Sequence, residues 1–187
     1  MVSAMFVQNS APHVRGAVLD VGCGSMPYKR LFLGNPASEV TSWTGVDIRP
    51  VGDRQMDAHA LDFPDKSFDT VLLTNVLNYC LSPLQVLGEC YRVLKRGGRL
   101  VVCAANTYED DGEMLWGVRE SGLGDSLLEC GFRILDMGKH SGLWREEAAN
   151  FTGSDKYGVA VSPAYDTWVG ALDAAFPLLT SAIATKE

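Results

Sequence analysis

The chain lacks the features that mark membrane-spanning, secreted and metal-binding proteins. No apolar run approaches the roughly 18–20 residues that a membrane helix needs, so no membrane span is expected. The segment from Met1 to Ser10 has neither a basic stretch nor an unbroken apolar one, which argues against a secretion signal and favours a cytoplasmic protein. The five cysteines form no C-x-x-C pair, so buried free thiols are expected rather than disulfides or a metal site.

Positive charge is also scarce, with 16 Lys and Arg residues against 23 Asp and Glu residues and a formal net charge of −7. The densest basic cluster, Lys95, Arg96 and Arg99, flanks a Gly-Gly pair at a predicted helix end, where the helix dipole alone favours cations. Nucleic acid is therefore not expected as a partner. With 187 residues, 47% of them hydrophobic, the chain predicts a single domain over residues 1–187 that begins with an N-terminal arm, residues 1–16. The oligomeric state, monomer or homodimer, stays open.

One stretch, from Ala17 to Tyr28, predicts a ligand-binding turn. Its first five residues are mostly apolar, as in a central parallel strand with both faces covered. Gly22 and Gly24 follow, and the absence of Cβ atoms there lets the backbone approach a ligand closely. A helix that opens at Pro27 would add free N–H groups and the positive end of its dipole.

Strand-like and helix-like segments alternate along most of the chain, which predicts an α/β fold with a parallel sheet and right-handed crossovers. Two irregular stretches, 106–124 and 140–167, are expected to hold the substrate-binding or lid insertions, and a lid would come from the second. The predicted strands are 17–21, 42–47, 55–58, 68–74, 99–105, 132–137 and 180–185. The predicted helices are 27–33, 83–96 with Ser82 as N-cap and Gly97-Gly98 as its end, a turn at 114–116, 125–130 and 168–176.

The residues around the glycine turn discriminate between ligands. A dinucleotide site favours G-x-G-x-x-G, but Pro27 occupies the third glycine position, which disfavours NAD or FAD without excluding them. No G-K-[ST] follows, so a P-loop is excluded. Asp47 comes 23 residues after Gly24, at the end of a predicted strand, where a carboxylate can accept both hydroxyls of a ribose.

Five motifs occur in order, and together they resemble the class I S-adenosylmethionine-dependent methyltransferases. They are V-L-D-V-G-C-G (18–24), T-G-V-D (44–47), D-A (57–58), F-P-D-K-S-F-D (63–69) and E-C-Y-R-V-L-K-R-G-G (89–98). The resemblance covers roughly residues 16 to 137 and is close to the small-molecule, methyltransferase type 11 branch that includes quinone-biosynthesis enzymes. It implies a Rossmann-like doubly wound sheet, mostly parallel with an antiparallel last strand and helices on both faces.

The resemblance also implies a cofactor and a reaction. The cofactor would be S-adenosyl-L-methionine, and the reaction an in-line transfer of its methyl group to a small-molecule acceptor, leaving S-adenosyl-L-homocysteine. Asp20 would hold the methionine ammonium group, Asp47 the ribose and Asp57 the adenine amino group, while Thr74 and Asn75 would border the sulfonium. The full set of implied cofactor-binding residues is Asp20, Gly22, Cys23, Gly24, Asp47, Ile48, Asp57, Ala58, Thr74 and Asn75.

The chain departs from this family after the fourth strand. The branch often has Glu at the place of Asn75 and His at the place of Tyr79, and a phenol is mostly protonated at neutral pH, so Tyr79 does not simply replace a histidine base. No catalytic residue is assigned, and two other functions stay open: a protein that binds the cofactor without catalysis, in a regulatory or scaffold role, and an NAD(P)-dependent oxidoreductase. The candidates for a general base are Tyr79, His140, Tyr108, Glu109 and Asp110.

Overall fold

The computed structural model of the chain describes residues 2–105, 120–140 and 179–187, which form one seven-stranded sheet with helices on both faces. The strand order is β3-β2-β1-β4-β5-β7-β6. The first five strands run parallel, and β7 is antiparallel to both of its neighbours, so the predicted Rossmann-like fold with an antiparallel last strand is confirmed. The elements are α1 (Val2–Asn9), β1 (Arg15–Val21), α2 (Lys29–Phe32), β2 (Glu39–Asp47), β3 (Arg54–Gln55), β4 (Phe68–Thr74), α3 (Pro83–Val93), β5 (Leu94–Ala105), α4 (Glu120–Glu129), β6 (Phe132–His140) and β7 (Leu179–Lys186).

The hydrophobic core lies in two layers, one on each face of the sheet. Successive side chains of a strand point to opposite faces, and on β1 Leu19 packs in the layer beneath α3 and α4. Val18 packs in the other layer, with Phe6 of α1 and Phe32 of α2. Asp20 shares the face of Val18 by the same alternation, which puts a carboxyl group into an apolar layer.

Strand β4 has the predicted bounds, but β3 is shorter than predicted. Only Arg54 and Gln55 pair with β2, so Asp57 and Ala58 lie in the loop that follows the strand rather than within it. Helix α2 is a single turn rather than the predicted 27–33. The backbone at Met26 is left-handed, with φ of 55°, and this turn delays the start of the helix beyond Pro27.

Helix α3 also ends earlier than predicted, at Val93. Leu94 already pairs with Phe68 of β4, so the chain enters the sheet before Gly97, whose φ of 72° serves the turn that follows. Ser82 is the N-cap residue of α3 and Pro83 begins the helix, as predicted, but the hydroxyl of Ser82 makes no capping hydrogen bond.

The stretch predicted as an irregular insertion over 106–124 is corrected at its end, because residues 120–124 belong to α4. The remainder of that insertion, its turn at 114–116, the insertion from 141 to 167 and the helix over 168–176 lie outside the described residues. No helix in the described parts of the chain is long and apolar enough to cross a membrane.

Candidate functional site

A pocket of about 400 Å³ opens at the carboxyl ends of β1, β2, β3 and β4. In an open α/β sheet this edge is where ligands bind, at the point where the strand order reverses. The predicted cofactor residues Gly22, Asp47, Ile48, Asp57, Ala58 and Asn75 meet there, together with the candidate base Tyr79. The remaining lining residues were not predicted: Arg49, Met56, His59, Val76 and Cys80.

Gly22, the first residue of the glycine turn after β1, lines the pocket, whereas Gly24, also predicted to touch the cofactor, lies outside the pocket lining. Gly22 has a φ of 66°, and a Cβ atom there would overlap Val76 Cγ2, so no larger residue fits without movement of the loop after β4. Gly24 has a φ of 51°, and its N–H donates a hydrogen bond of 2.9 Å to Asp47 Oδ2. The turn therefore joins the ends of β1 and β2 through a backbone donor and a carboxylate.

Asp47 is buried, with 5% of its surface exposed, and it is ionised. Its Oδ1 accepts hydrogen bonds from the backbone N–H of Arg49 at 2.9 Å and from Arg49 Nε at 3.2 Å. Burial would raise the pKa of the carboxyl, but the hydrogen bonds from Arg49 and Gly24 outweigh burial and lower the pKa below its usual range. Each carboxylate oxygen has two acceptor positions, so Oδ2 can still receive a ligand donor.

Asp57 and His59 form a compact turn in the pocket wall. Asp57 Oδ1 accepts a hydrogen bond from the backbone N–H of His59 at 2.9 Å, and it lies 2.7 Å from His59 Nδ1. The backbone and side-chain hydrogen bonds of His59 lower the pKa of Asp57. Asp57 Oδ2 and the N–H of Ala58 have no hydrogen-bond partner within the described parts of the chain.

Asp20 is buried outside the pocket lining, on the sheet face that α1 covers. None of its surface is exposed, and neither of its oxygens, nor Nε1 of nearby Trp43, has a hydrogen-bond partner among the described residues. Burial raises the pKa of Asp20 from the usual 3.8 to about 7. The charges of Asp47 and Asp53 contribute to this rise, whereas the Trp43 indole opposes it without reaching hydrogen-bond geometry.

Cys23 and Thr74, also predicted to touch the cofactor, are buried and outside the pocket lining. Burial raises the pKa of the Cys23 thiol to about 12, so it stays protonated at neutral pH. Cys80 does line the pocket, and burial raises its pKa to about 11, so it too stays a thiol. His140 is the last residue of β6, and Tyr108, Glu109 and Asp110 lie outside the described residues.

The loop after β4 is held against the end of β5 by a buried amide that the sequence does not reveal. Asn78 has no exposed surface, donates a hydrogen bond of 2.8 Å to the Ala105 carbonyl and accepts one of 2.9 Å from the Ala105 N–H. The N–H of Asn75, whose φ is 55°, donates to the Cys103 carbonyl at 2.8 Å. These bonds fix the loop that presents Asn75 and Tyr79 to the pocket.

The motif over residues 89–98 contacts the segment that follows the pocket residues Asp57 and Ala58. Arg92 pairs with Glu89 at 2.8 Å and donates to the carbonyl groups of Leu61 and Phe63, each at 2.7 Å, and to Asp65 at 2.8 Å. A planar guanidinium with five N–H groups suits such a cluster of acceptors. This clamp fixes to α3 the loop that begins at Asp57, so the motif has a structural role.

A family model described as a methyltransferase domain matches residues 19–102, which contain the glycine turn and both pocket aspartates. The match assigns residues 19–102 to the class I S-adenosylmethionine-dependent methyltransferases, the family that the motifs predict. The phosphatidylethanolamine N-methyltransferase of Cereibacter sphaeroides is similar to it, with 33% identity over 116 aligned residues that cover 51% of this chain and 55% of the relative. The demethylmenaquinone methyltransferase of Clavibacter sepedonicus is 31% identical over 108 residues, which cover 52% of this chain and 44% of the relative.

This methyltransferase-family chain thus spans about half the length of these two curated relatives. A solved structure described as the [4+2]-cyclase SpnF is 26% identical to it, with a TM-score of 0.66 and coverage of 98% of this chain and 79% of that chain. The predicted family is confirmed, and with it S-adenosylmethionine as the family's cofactor. The roles of individual residues remain predictions.

Proposed function

We propose that this chain is a cytoplasmic enzyme that binds S-adenosylmethionine in the pocket and transfers its methyl group to a small-molecule acceptor. The observation that carries the proposal is the convergence of Asp47 and Asp57, two carboxylates from separate strand ends, on one pocket that Gly22 of the glycine turn also lines. Carboxylates only accept hydrogen bonds, so the pocket suits a ligand that presents several donors.

The donors of the cofactor match the acceptors of the pocket. Asp47, buried and ionised, suits a ribose hydroxyl through the remaining acceptor position of its Oδ2, and Oδ2 of Asp57, which has no partner among the described residues, suits the adenine amino group. The N–H of Ala58 is available to a ring nitrogen, and Ile48, 66% exposed, offers apolar surface to a ring face. The volume of about 400 Å³ lies within the range of small-molecule pockets.

When bound, S-adenosylmethionine supplies a methyl group on a positively charged sulfur. We assign the ammonium end of the cofactor to Asp20, because a buried carboxyl that has no hydrogen-bond partner among the described residues favours a cation. Among the described groups that line the pocket, Asp47, Asp57 and His59 are engaged in hydrogen bonds and Cys80 stays protonated. The described residues therefore act by holding and orienting the ligands and by excluding water, with no assigned proton transfer.

The small-molecule acceptor is supported by two observations. The names of the two curated relatives specify phosphatidylethanolamine and demethylmenaquinone, which are small molecules. The formal net charge of −7 opposes binding to the phosphate backbone of a nucleic acid.

A second candidate is a protein that binds the cofactor without transferring its methyl group. Asn75 and Tyr79 stand where the family branch often has Glu and His, and a chain with 26% identity is described as a cyclase. Binding without transfer would favour this second function.

Isothermal titration calorimetry with S-adenosylmethionine, S-adenosylhomocysteine and NAD tests the cofactor site. We expect the two sulfur ligands to bind and Asp47→Asn to weaken both about a hundredfold, since a charged acceptor for a ribose hydroxyl is lost. The matched control is Asp62→Asn, whose side chain is 88% exposed and outside the pocket, and it should bind like the wild type. Binding of NAD alone, or no binding at all, would contradict the proposal.

Transfer of a radiolabelled methyl group to a cell extract tests the acceptor. After removal of the unreacted methyl donor, the label should appear in the small-molecule and solvent-extractable lipid fractions rather than in precipitated protein or nucleic acid. Label confined to protein or nucleic acid would overturn the acceptor class, and tight cofactor binding without any transfer would favour the second candidate.

A further inference from the structure

We infer that His59 is a positioning residue that holds Asp57 in the orientation that selects a six-amino purine over a six-oxo purine. The inference rests on the proposed function, because it concerns the base of the ligand in the same pocket. His59 is not among the residues that the family motifs predict, and its role follows from its contacts on both sides of the ring.

The ring of His59 bridges two separate parts of the chain. Ser82, just before α3, directs its backbone N–H to His59 Nε2 at 3.3 Å. An N–H group can only donate, so Nε2 is the acceptor and the neutral ring carries its hydrogen on Nδ1. Nδ1 then donates to Asp57 Oδ1 at 2.7 Å. The tautomer is therefore set by a backbone group 23 residues away in sequence.

The backbone of His59 is anchored as well as its ring. Its carbonyl accepts a hydrogen bond of 2.9 Å from Gln85 Nε2 in the first turn of α3, and its N–H donates to Asp57 Oδ1 at 2.9 Å. The side chain of His59 is only 22% exposed, whereas that of Asp57 is 53% exposed. A half-exposed carboxylate would otherwise rotate among several rotamers, so the fixed histidine is what holds it.

This arrangement favours a ligand group that donates a hydrogen bond to Asp57 over a ligand group that can only accept one. Oδ1 of Asp57 receives both donors of His59, which leaves Oδ2 as the acceptor that Asp57 contributes to the pocket it lines with Ala58 and Ile48. The amino group of adenine can donate to this oxygen. The oxo group of hypoxanthine can only accept, and it would meet a negative charge with no hydrogen between them.

The test compares affinities for S-adenosylhomocysteine and S-inosylhomocysteine by calorimetry, in wild type and three variants. The wild type should favour the adenine ligand at least about tenfold, and His59→Ala should lose most of that ratio by weakening the adenine ligand alone. His59→Asn keeps a donor on Cγ, where Nδ1 is attached, and should retain the ratio. His59→Gln places its amide at the position of Nε2 and keeps only the Ser82 contact. This variant should therefore lose the preference for the adenine ligand.

The outcomes separate this inference from the proposed function. Failure of the wild type to bind either ligand would overturn both. Equal binding of the two ligands by the wild type, or an unchanged ratio in His59→Ala, would overturn only the role of His59. An equal loss for both ligands in every variant would mean a purely structural histidine and would also overturn it. If His59→Ala does not fold, the contrast between the Asn and Gln variants decides.

Discussion

The ends of the neighbouring strands β1 and β2 each carry a buried aspartate, and the two carboxyls are in opposite states. Asp20 is 0% exposed and Asp47 is 5% exposed, so burial alone does not distinguish them. Asp47 accepts three hydrogen bonds from the glycine turn and Arg49, and its pKa is lowered. Asp20 accepts none among the described residues, and its pKa is raised to about 7. Hydrogen-bond donors outweigh burial at Asp47 and lower its pKa, whereas at Asp20, which has no such donor among the described residues, burial raises the pKa.

The difference matters for a cationic ligand with a polar sugar. Asp47 is already ionised and oriented, so it can receive a neutral hydroxyl group without a change in protonation. Under the proposed function, Asp20, whose pKa of about 7 lies near neutrality, would gain its partner from the ammonium group of the ligand. One side of the glycine turn would then be organised before binding, and the other would be completed by binding.

The largest change in stability is expected from Asp20→Asn. Because folding raises the pKa of Asp20 from 3.8 to about 7, the folded state keeps a proton that the unfolded state has lost. Wild-type stability should fall as the pH rises between these values, by at most about 4 kcal/mol, and remain lowered above them. The variant should lack this fall and be the more stable protein at about pH 8, since its side chain does not ionise.

Urea unfolding of the unliganded protein at about pH 5 and about pH 8 measures this difference. A matched control is Asp62→Asn, because Asp62 is exposed and its change should leave the pH dependence of stability intact. Parallel curves for the wild type and Asp20→Asn would show that Asp20 finds a partner, and the contrast with Asp47 would disappear.

Asp47→Ala should change the free energy of unfolding in the opposite direction, by lowering it, and by a smaller amount. It leaves the N–H groups of Gly24 and Arg49 without their acceptor, which should cost about 2–3 kcal/mol of unfolding free energy. Because folding lowers the pKa of Asp47, its stabilisation is present above the unfolded pKa and lost as the pH falls through the folded one. Chemical denaturation at neutral pH gives the value, and a variant as stable as the wild type would refute the hydrogen-bond account.

The sequence anticipates those parts of the fold and site whose signals are local. Strand β4 has the predicted bounds because an apolar run lies between clear turn signals, and the predicted cofactor residues in the pocket end a strand or follow one within three residues. Strand β3 was too long in prediction because two paired residues leave no pattern. The end of α3 was misplaced because the pairing of Leu94 with Phe68, which starts the next strand, is not visible in a helical pattern.

The residues that escaped prediction have distant partners. His59 acquires its role from Ser82, 23 residues on, and Asn78 from Ala105, 27 residues on. Neither residue has a sequence neighbour that suggests these contacts, since the partner atoms belong to the backbone. Backbone groups are the same in every residue, so only the folded topology identifies them.

Arg49→Ala should change the free energy of unfolding least. It also tests most directly which groups lower the pKa of Asp47. The Arg49 side chain is 68% exposed, so solvent screens its contact with Asp47, and its removal should cost about 0.5 kcal/mol or less. The backbone N–H groups of Gly24 and residue 49 remain, so the pKa of Asp47 should rise but stay lower than that of Asp20. An NMR titration of the two carboxyl carbons, with Arg54→Ala as an exposed control, measures this directly. If the pKa of Asp47 rose to that of Asp20, a single mobile guanidinium rather than the glycine turn would be responsible for the ionised carboxylate.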